Sequence, residues 1–425
     1  MNKTVAFATL GCKLNYAETA TYERALQLAG VEAVPWGTPA DVCLINTCSV
    51  TATADKKSRN LIRQARRFAP QALIAVTGCY AELKRGEIEA IEGVWRVFGA
   101  REKARVVPDT LAALAMASVP PSSHSGQSEG IPDTFGAWSA GEERTRSFLK
   151  VQDGCNNYCA YCTVPFARGA SRNLPICEVL RCARDIAAAG VKEVVLTGVN
   201  TGDFGRTSGE SFLDLLKALN GVEGIERYRI SSIEPNLITD DIIDWIASGT
   251  KFQPHFHIPL QTGSDSLLKR VGRRYDTAQF AGRIERIRHA MEGPGKPKVF
   301  FGIDVITGLP GETEALFEET FRFLEERIRP AFLHIFPYSR RDGTRAAAWP
   351  DQVPAAVKAG RVKRLEALSD RLHAAFIEAN RGVRERVLWE STEHDGLMSG
   401  YSGNYIRVSR PYDPAAVNTL SDIVL

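Results

Sequence analysis

Three cysteines stand within eight residues, in the run Cys155-Asn156-Asn157-Tyr158-Cys159-Ala160-Tyr161-Cys162. Structural zinc closes a tetrahedron with paired thiols or with cysteine and histidine together. Three thiols at C-x3-C-x2-C, with no histidine near them, suit instead three corners of an iron–sulfur cluster. A fourth iron would then lack a protein ligand and could bind a substrate. A zinc site or buried free thiols is the plainer alternative. A second set is dispersed: Cys12 follows Thr9-Leu10-Gly11, Cys48 follows Ile45-Asn46-Thr47, and Cys79 follows Val76-Thr77-Gly78. Each comes just past the carboxyl end of a predicted strand, and loops at that edge of a parallel sheet converge on ligand sites. Thiols more than 30 residues apart can meet there; three buried core cysteines are the alternative. Cys43 falls in mid-strand, and Cys177 and Cys182, five apart on a predicted helix, share no face well. These three read as structural.

The elements that must position these thiols alternate. In the first part, Thr4–Leu10, Val42–Asn46, Leu73–Thr77 and Val94–Phe98 read as strands, with helices over Tyr16–Ala29 and Ala54–Phe68. Short apolar strands between helices predict a parallel α/β sheet. The Pro-, Ser- and Gly-rich stretch from Pro120 to Gly141 reads as a linker. A second series follows, with strands at Phe148–Gln152, Glu193–Thr197, Arg227–Ser231, Phe256–Ile258, Val299–Val305 and Ala331–Phe336. Helices between them include Ile176–Ala189, Ser211–Leu219, Ala278–Met291 and Thr313–Arg327. Six such units predict a partial or complete (β/α) barrel, whose active sites lie where its strands end. A helix over Ala355–Asn380 closes the series, and Val387–Glu390, Leu397–Ser402 and Tyr405–Ser409 predict a small β module. The expected domains are 1–117, a linker at 118–143, a barrel at 144–380 and the β module at 381–425.

Length and composition fit this plan. The chain has 425 residues, 44% apolar and 24% charged, which excludes global disorder. No apolar run approaches the roughly 18 residues of a membrane span, and the N-terminus lacks a secretory pattern, so a cytoplasmic protein is expected. With 53 basic and 50 acidic residues the net charge is only +3, so any nucleic-acid surface is a local patch. Nine cysteines, an odd number, argue against a disulfide framework.

The eight-residue run resembles the CxxxCxxC pattern of the radical S-adenosylmethionine superfamily. That resemblance implies that the open iron chelates S-adenosylmethionine, and that the reduced cluster cleaves it to a 5′-deoxyadenosyl radical. Taken with the dispersed triad and the terminal β module, the whole chain resembles the methylthiotransferases. Matching segments are TLGCKLNYAET (9–19), NTCSVTATADKKSR (46–59), GCY (78–80), GCNNYCAYCTVPFARG (154–169), HIPLQTGSD (257–265), LKRVGRRY (268–275), DVITGLPGET (304–313) and FPYSRRDGT (336–344). Among branches it is most similar to the enzymes acting on threonylcarbamoyladenosine in tRNA; related branches act on isopentenyladenosine or on a ribosomal-protein aspartate. The resemblance implies two [4Fe–4S] clusters, the second on Cys12, Cys48 and Cys79. It also implies methylthio transfer to C2 of the base at position 37 of a tRNA anticodon loop. An electron donor such as flavodoxin or ferredoxin, a sulfur source and a monomeric enzyme complete the expectation. A non-catalytic iron–sulfur RNA-binding electron carrier is the alternative of another class.

Other residues carry weaker signals. Gly198 and Asn200 end the second barrel strand, where the superfamily cradles the methionine amino group, though without its common Gly-Gly-Glu form. Ser231 and Glu234 end the third strand, and Asp304 and Thr307 the fifth; by position these would hold ribose or adenine, against a plain loop role. His255 and His257 alternate on one strand face and read as core or rim histidines. Lys56, Lys57, Arg59, Arg63, Arg66 and Arg67 follow Cys48 on a helix, and Arg273-Arg274 and Arg340-Arg341 form pairs. A solvated face is the default for such runs. Beside a cluster ligand, Lys56, Lys57, Arg59, Arg63, Arg273 and Arg274 become candidates for substrate phosphate or carboxylate, the bidentate partner that arginine suits. In the β module, Arg407 lies among Arg384, Arg386, Tyr401, Tyr405, Arg410 and Tyr412, a basic and aromatic set suited to single-stranded RNA. The module resembles the family's TRAM domain.

Overall fold

The apolar runs of the first hundred residues close into a five-stranded parallel sheet of order β2-β1-β3-β4-β5. Its strands are β1 (Thr4–Thr9), β2 (Glu32–Val34), β3 (Val42–Thr47), β4 (Leu73–Gly78) and β5 (Val94–Val97). The computed structural model describes residues 3–116, 138–139 and 145–425; the predicted linker lies outside them except for its Trp138 and Ser139. All six residues of β3 are buried, as expected of a central strand covered on both faces. Val42 and Leu44 pack to one side with Tyr22, Leu26 and Phe98, while Cys43 and Ile45 pack to the other with Ile62 and Ala65.

Helices α1 (Lys13–Leu28), α2 (Ala52–Phe68) and α3 (Cys79–Leu83) leave the ends of β1, β3 and β4. The Thr51 side chain accepts the Ala54 N–H and so caps α2. Asp55 in its first turn and Arg66 and Arg67 in its last complement the helix dipole. Asp55, Ser58, Ile62 and Ala65 form its buried stripe. The strand Glu32–Val34, the short helix α3 and the apolar helix Val106–Met116 have no counterpart among the sequence expectations.

The described chain falls into two compact units, and it crosses between them within the cysteine run. The first comprises the described parts of Met1–Ser139 with Phe148–Asn156 and Cys162–Leu174; the second those of Ala140–Ser147 with Asn157–Tyr161 and Pro175–Leu425. Outside the five-stranded sheet, the first unit also holds β6 (Trp138–Ser139), paired antiparallel with the end of β7 (Arg146–Lys150), and the two-stranded pair β8 (Gln152–Asp153) and β9 (Arg172–Asn173).

In the second unit β10 (Glu193–Thr197), β11 (Arg227–Ile230), β12 (His255–Gln261), β13 (Phe300–Thr307) and β14 (Phe332–Pro337) follow in order. β10 pairs with β11, β12 with β13 and β13 with β14, all parallel, and bridges at Tyr228–Phe252 and Ser232–His257 join the two sets. With β7, these are the six strands expected of the barrel. β14 ends its sheet, so the wall is partial. The terminal module is a four-stranded antiparallel sheet, β15 (Arg384–His394), β16 (Leu397–Ser402), β17 (Arg407–Pro411) and β18 (Leu420–Val424), in the order β17-β16-β15-β18. Its fourth strand extends the three expected.

This sheet is sewn onto the strand wall by buried arginines. Arg229 of β11 donates to the carbonyls of Gly403 at 2.7 Å and Ser402 at 2.9 Å, and Arg227 to that of Tyr401 at 3.0 Å. Glu193 of β10 holds the cations in place, with Arg229 at 2.8 Å and Arg227 at 3.7 Å. Arg146 reaches Glu390 at 2.6 Å and donates to the Tyr405 hydroxyl at 3.0 Å. No described helix is long and apolar enough to cross a membrane.

Candidate metal centres

Parallel register aligns the strand ends that deliver the dispersed thiols. Thr9 lies beside Asn46, Asn46 beside Thr77, and Thr47 beside Gly78. Cys12, Cys48 and Cys79 follow these ends, and the strand order reverses between β1 and β3, the place where open sheets bind ligands. The turns are tied together by side chains. Asn15 Nδ2 donates to the carbonyls of Leu10 at 2.7 Å and Thr47 at 3.1 Å. Thr47 Oγ1 donates to the Thr77 carbonyl at 2.6 Å, and Ser58 Oγ to that of Cys48 at 3.2 Å. At Gly78, φ is +99° and a Cβ would lie 2.3 Å from the Thr47 carbonyl oxygen, so only glycine lets β4 turn there beside β3.

Neighbouring sulfurs act on the titration of Cys48 and Cys79. Burial pushes Cys48 up to about 11, against the pull of the Val50 N–H. Burial also raises Cys79, while the Arg168 guanidinium opposes the rise. A cluster held by this set would displace protons from its thiols on binding. An all-sulfur donor set is what an iron–sulfur cluster takes. Neither triad is drawn as tight as His257, Asp304 and His334, the described group whose donor atoms lie within 4.8 Å of one another. Cys43, inside β3, lies away from the strand ends, and burial raises it to about 11.

The second triad lies on the loop between β8 and β9. Cys155 and Cys162 belong to the first unit and Cys159 to the second. The Cys155 N–H donates to the Gly169 carbonyl at 3.1 Å, and the Val164 N–H points at Cys162 Sγ from 3.4 Å. Arg273 NH1 donates to Cys159 Sγ at 3.4 Å, its Nε to the Tyr275 hydroxyl at 2.9 Å, and NH2 meets Glu234 at 2.8 Å. Donors aimed at ligand sulfurs are the means by which proteins tune such clusters. Gly154, with φ +72°, would put a Cβ 2.0 Å from the Ala170 carbonyl oxygen. Gly154→Ala should therefore destabilise the fold by roughly 2–4 kcal/mol. A lower urea midpoint and reduced iron content would show it; an unchanged midpoint would mean the loop adapts.

The remaining candidates separate by surroundings. Asn200 Oδ1 accepts the Glu234 N–H at 3.3 Å, and Glu234 also accepts from Asn157 Nδ2 at 2.8 Å, so these two frame the cysteine loop. Gly198 lies buried just before Asn200. Ser231 Oγ is buried with no hydrogen-bond partner, an orphaned group that a bound polar cofactor could satisfy. Asp304 is engaged by His257 Nε2 at 2.6 Å, and the His334 ring lies 4.7 Å from that of His257 in the room left by Gly302. Thr307 Oγ1 turns to Glu312 at 3.4 Å, inside the Glu312–Arg361 pair. Lys56, Lys57 and Arg63 are exposed on α2, whereas Arg59 is taken by the Tyr80 hydroxyl at 2.8 Å. Arg273 is buried against Cys159 rather than facing solvent, while Arg274 and Arg407 are exposed, Arg407 donating to Ser399 Oγ.

Sequence reasoning passed over Asn15, Glu18, Asp153, Asn157 and Arg168. Asn15 and Glu18 fall among Leu14, Ala17, Tyr22 and Leu26 on the buried stripe of α1. Polar residues on an apolar helix face were the available signal.

Residues 4–99 match the family described as Uncharacterized protein family UPF0004, and residues 149–324 match the Radical SAM superfamily. The chain is 40% identical over 417 residues to the threonylcarbamoyladenosine tRNA methylthiotransferase MtaB of Bacillus subtilis, covering 95% of this chain and 90% of that protein. It is 34% identical to the protein of that name from Aquifex aeolicus, over 96% of each. It is 32% identical to the tRNA-2-methylthio-N(6)-dimethylallyladenosine synthase of Nitratidesulfovibrio vulgaris, over 96% of this chain and 93% of that one. Among solved structures, the radical S-adenosylmethionine methyltransferase TsrM from Kitasatospora setae shares the fold, with TM-score 0.56 at 13% identity, over 82% of this chain and 77% of that one.

Proposed function

The chain belongs to the radical S-adenosylmethionine tRNA methylthiotransferases, transferases that carry two [4Fe–4S] clusters and use S-adenosylmethionine, and from that premise we propose that it adds a methylthio group to C2 of N6-threonylcarbamoyladenosine at position 37 of tRNA anticodon loops. The observation that carries this reading is the convergence of Cys12, Cys48 and Cys79 at the switch point of the first sheet, in a chain that also holds the CxxxCxxC loop.

One cluster would be held by Cys155, Cys159 and Cys162, the other by Cys12, Cys48 and Cys79. Bound there, the cofactors supply the sulfur, the methyl group and the one-electron cleavage that activates C2. The chain's own residues orient and insulate. Arg273 and the Val164 N–H hold ligand sulfurs from outside, and Glu234, fixed by Arg273 and Asn157, holds the Asn200 turn against the cysteine loop. Ser231 Oγ and the Gly198–Asn200 turn are the polar groups offered to S-adenosylmethionine.

Exposed Lys56, Lys57, Arg63, Arg274 and Arg407 serve RNA phosphates, positioning the loop without reading sequence. The threonylcarbamoyl branch is favoured by the 40% relative, and a carboxylate-bearing substrate suits a chain with exposed surface arginines better than an apolar isopentenyl group does. A one-electron donor such as flavodoxin or ferredoxin and a sulfur source complete the turnover of a monomeric enzyme.

The test is mass spectrometry of tRNA nucleosides from cells with and without the gene. Its loss should remove 2-methylthio-N6-threonylcarbamoyladenosine and leave the unthiolated nucleoside in its place. Loss of the methylthio form of isopentenyladenosine instead would move the enzyme to the other tRNA branch. Unchanged tRNA with a ribosomal protein lacking its methylthio group would remove tRNA from the reading.

A further inference from the structure

The mechanism above leaves unused a set of charges that lies wholly inside the first unit. Glu18, Lys103, Lys150, Asp153 and Arg168 are all less than a tenth exposed. Glu18 takes Lys103 at 2.8 Å, Lys150 at 2.9 Å and Arg168 at 3.2 Å. Asp153 takes Lys150 at 2.7 Å and Arg168 at 3.0 Å. Three buried cations thus face two carboxylates, Asp153 also taking the half-exposed Arg172 at 3.0 Å, so positive charge is in excess within a dry interior. Uncompensated buried charge is expensive, so a fold that keeps it needs a further anion nearby.

Arg168 shows where that anion belongs. Its NH2 donates to Asn15 Oδ1, the same oxygen that lies 3.9 Å from Cys12 Sγ. Through Nδ2, that Asn15 grips the carbonyls before Cys12 and before Cys48. Burial alone would weaken the Arg168 charge; Asp153 and Glu18 sustain it, and the Cys79 and Cys12 sulfurs add to this when ionised. Protonated thiols carry no charge, whereas three iron-bound thiolates do.

We infer that Arg168, supplied from just beyond the second triad, is a positioning residue for the first: it holds the Cys12 and Cys48 turns together through Asn15 and offsets the charge of the thiolates. The inference rests on the reading that Cys12, Cys48 and Cys79 hold a cluster. A fixed cation beside a cluster favours its more negative, reduced form, because burial screens the charge less than water would. Lysine would keep the charge but cannot fork to Asn15, Glu18 and Asp153 at once.

The test uses full-length protein in which Cys155, Cys159 and Cys162 are alanine, so that only the first cluster remains. Its midpoint potential is read by redox titration with electron paramagnetic resonance, and its iron loss by exposure to a chelator. Arg168→Gln should move the potential to a more negative value and speed iron loss about tenfold or more. Arg168→Lys should keep the potential near that of the parent yet still lose iron faster. Should the glutamine variant fail to fold, the lysine variant carries the test, and retention equal to the parent overturns the inference. A glutamine variant with unmoved potential and unmoved iron loss also overturns it. A parent protein that holds no iron overturns the cluster reading first, and the inference with it.

Discussion

Full-length enzyme reconstituted anaerobically should hold about eight irons per chain, and Cys48→Ala or Cys159→Ala protein about four. The two halves should fail differently. Cys159→Ala removes a sulfur on the loop that resembles the S-adenosylmethionine-cleaving pattern, so both 5′-deoxyadenosine and methylthiolated tRNA should vanish. Cys12→Ala, Cys48→Ala and Cys79→Ala keep all three sulfurs of that loop, together with its contacts to Gly169, Glu234, Val271 and Arg273. These variants should lose the methylthiolated product and keep measurable 5′-deoxyadenosine. Product formation by Cys48→Ala enzyme at the wild-type rate would remove the sulfur-handling role from the first triad. A wild-type content near four irons would remove its cluster altogether.

Glu193→Ala should destabilise the second unit by about 3–5 kcal/mol, since removing one partner of a buried ion pair strands the others. Glu193 is fully buried, and its loss leaves Arg229 and Arg227 inside the wall with carbonyl acceptors and, for Arg227, the charge of Glu385. The effect should be read as a fall in the urea midpoint of the iron-free protein, with faster amide exchange in Leu397–Ser402, which those arginines anchor. The Arg229 guanidinium and its hydrogen bonds win over burial and hold the Glu193 carboxyl below its ordinary 4.5. Its contribution is therefore complete above that value and is lost as the pH falls through the lower folded-state value. The gap between wild type and Glu193→Ala should close on acidification; a gap that stays constant would show that Glu193 acts by packing rather than charge. The same arginines explain why 381–425, although its strands form a sheet of their own, should not be cut away cleanly.

The strands and helices that carry the cysteines were legible because their signal is local. An apolar run such as Val42–Asn46 or a stripe such as Asp55, Ser58, Ile62 and Ala65 repeats at the period of its own backbone, and the observed β3 and α2 differ by one or two residues at their ends. Elements with weak periodicity were not legible. The strand Glu32–Val34 is only three residues, and Val106–Met116 is apolar nearly all round, so neither presents a face. β18, a five-residue strand with two charged or hydroxyl side chains between its apolar ones, becomes a strand only because β15 offers it an edge.

The sequence by itself determined which thiols could do the chemistry. Cys155, Cys159 and Cys162 are bound to one loop by covalent spacing, and Cys12, Cys48 and Cys79 are set by their place at strand ends, a property of local pattern. Only the tertiary structure decided what surrounds them. Arg273 lies 114 residues from Cys159, and Arg168 lies 153 residues from Asn15, yet each pair is within hydrogen-bond reach. Charged residues in a sequence read as surface because water is their cheapest surroundings. Arg168, Arg229, Glu18 and Glu193 are exceptions that become affordable only when folding brings opposite charges to the same dry place, and no pattern within either partner's own segment records that meeting.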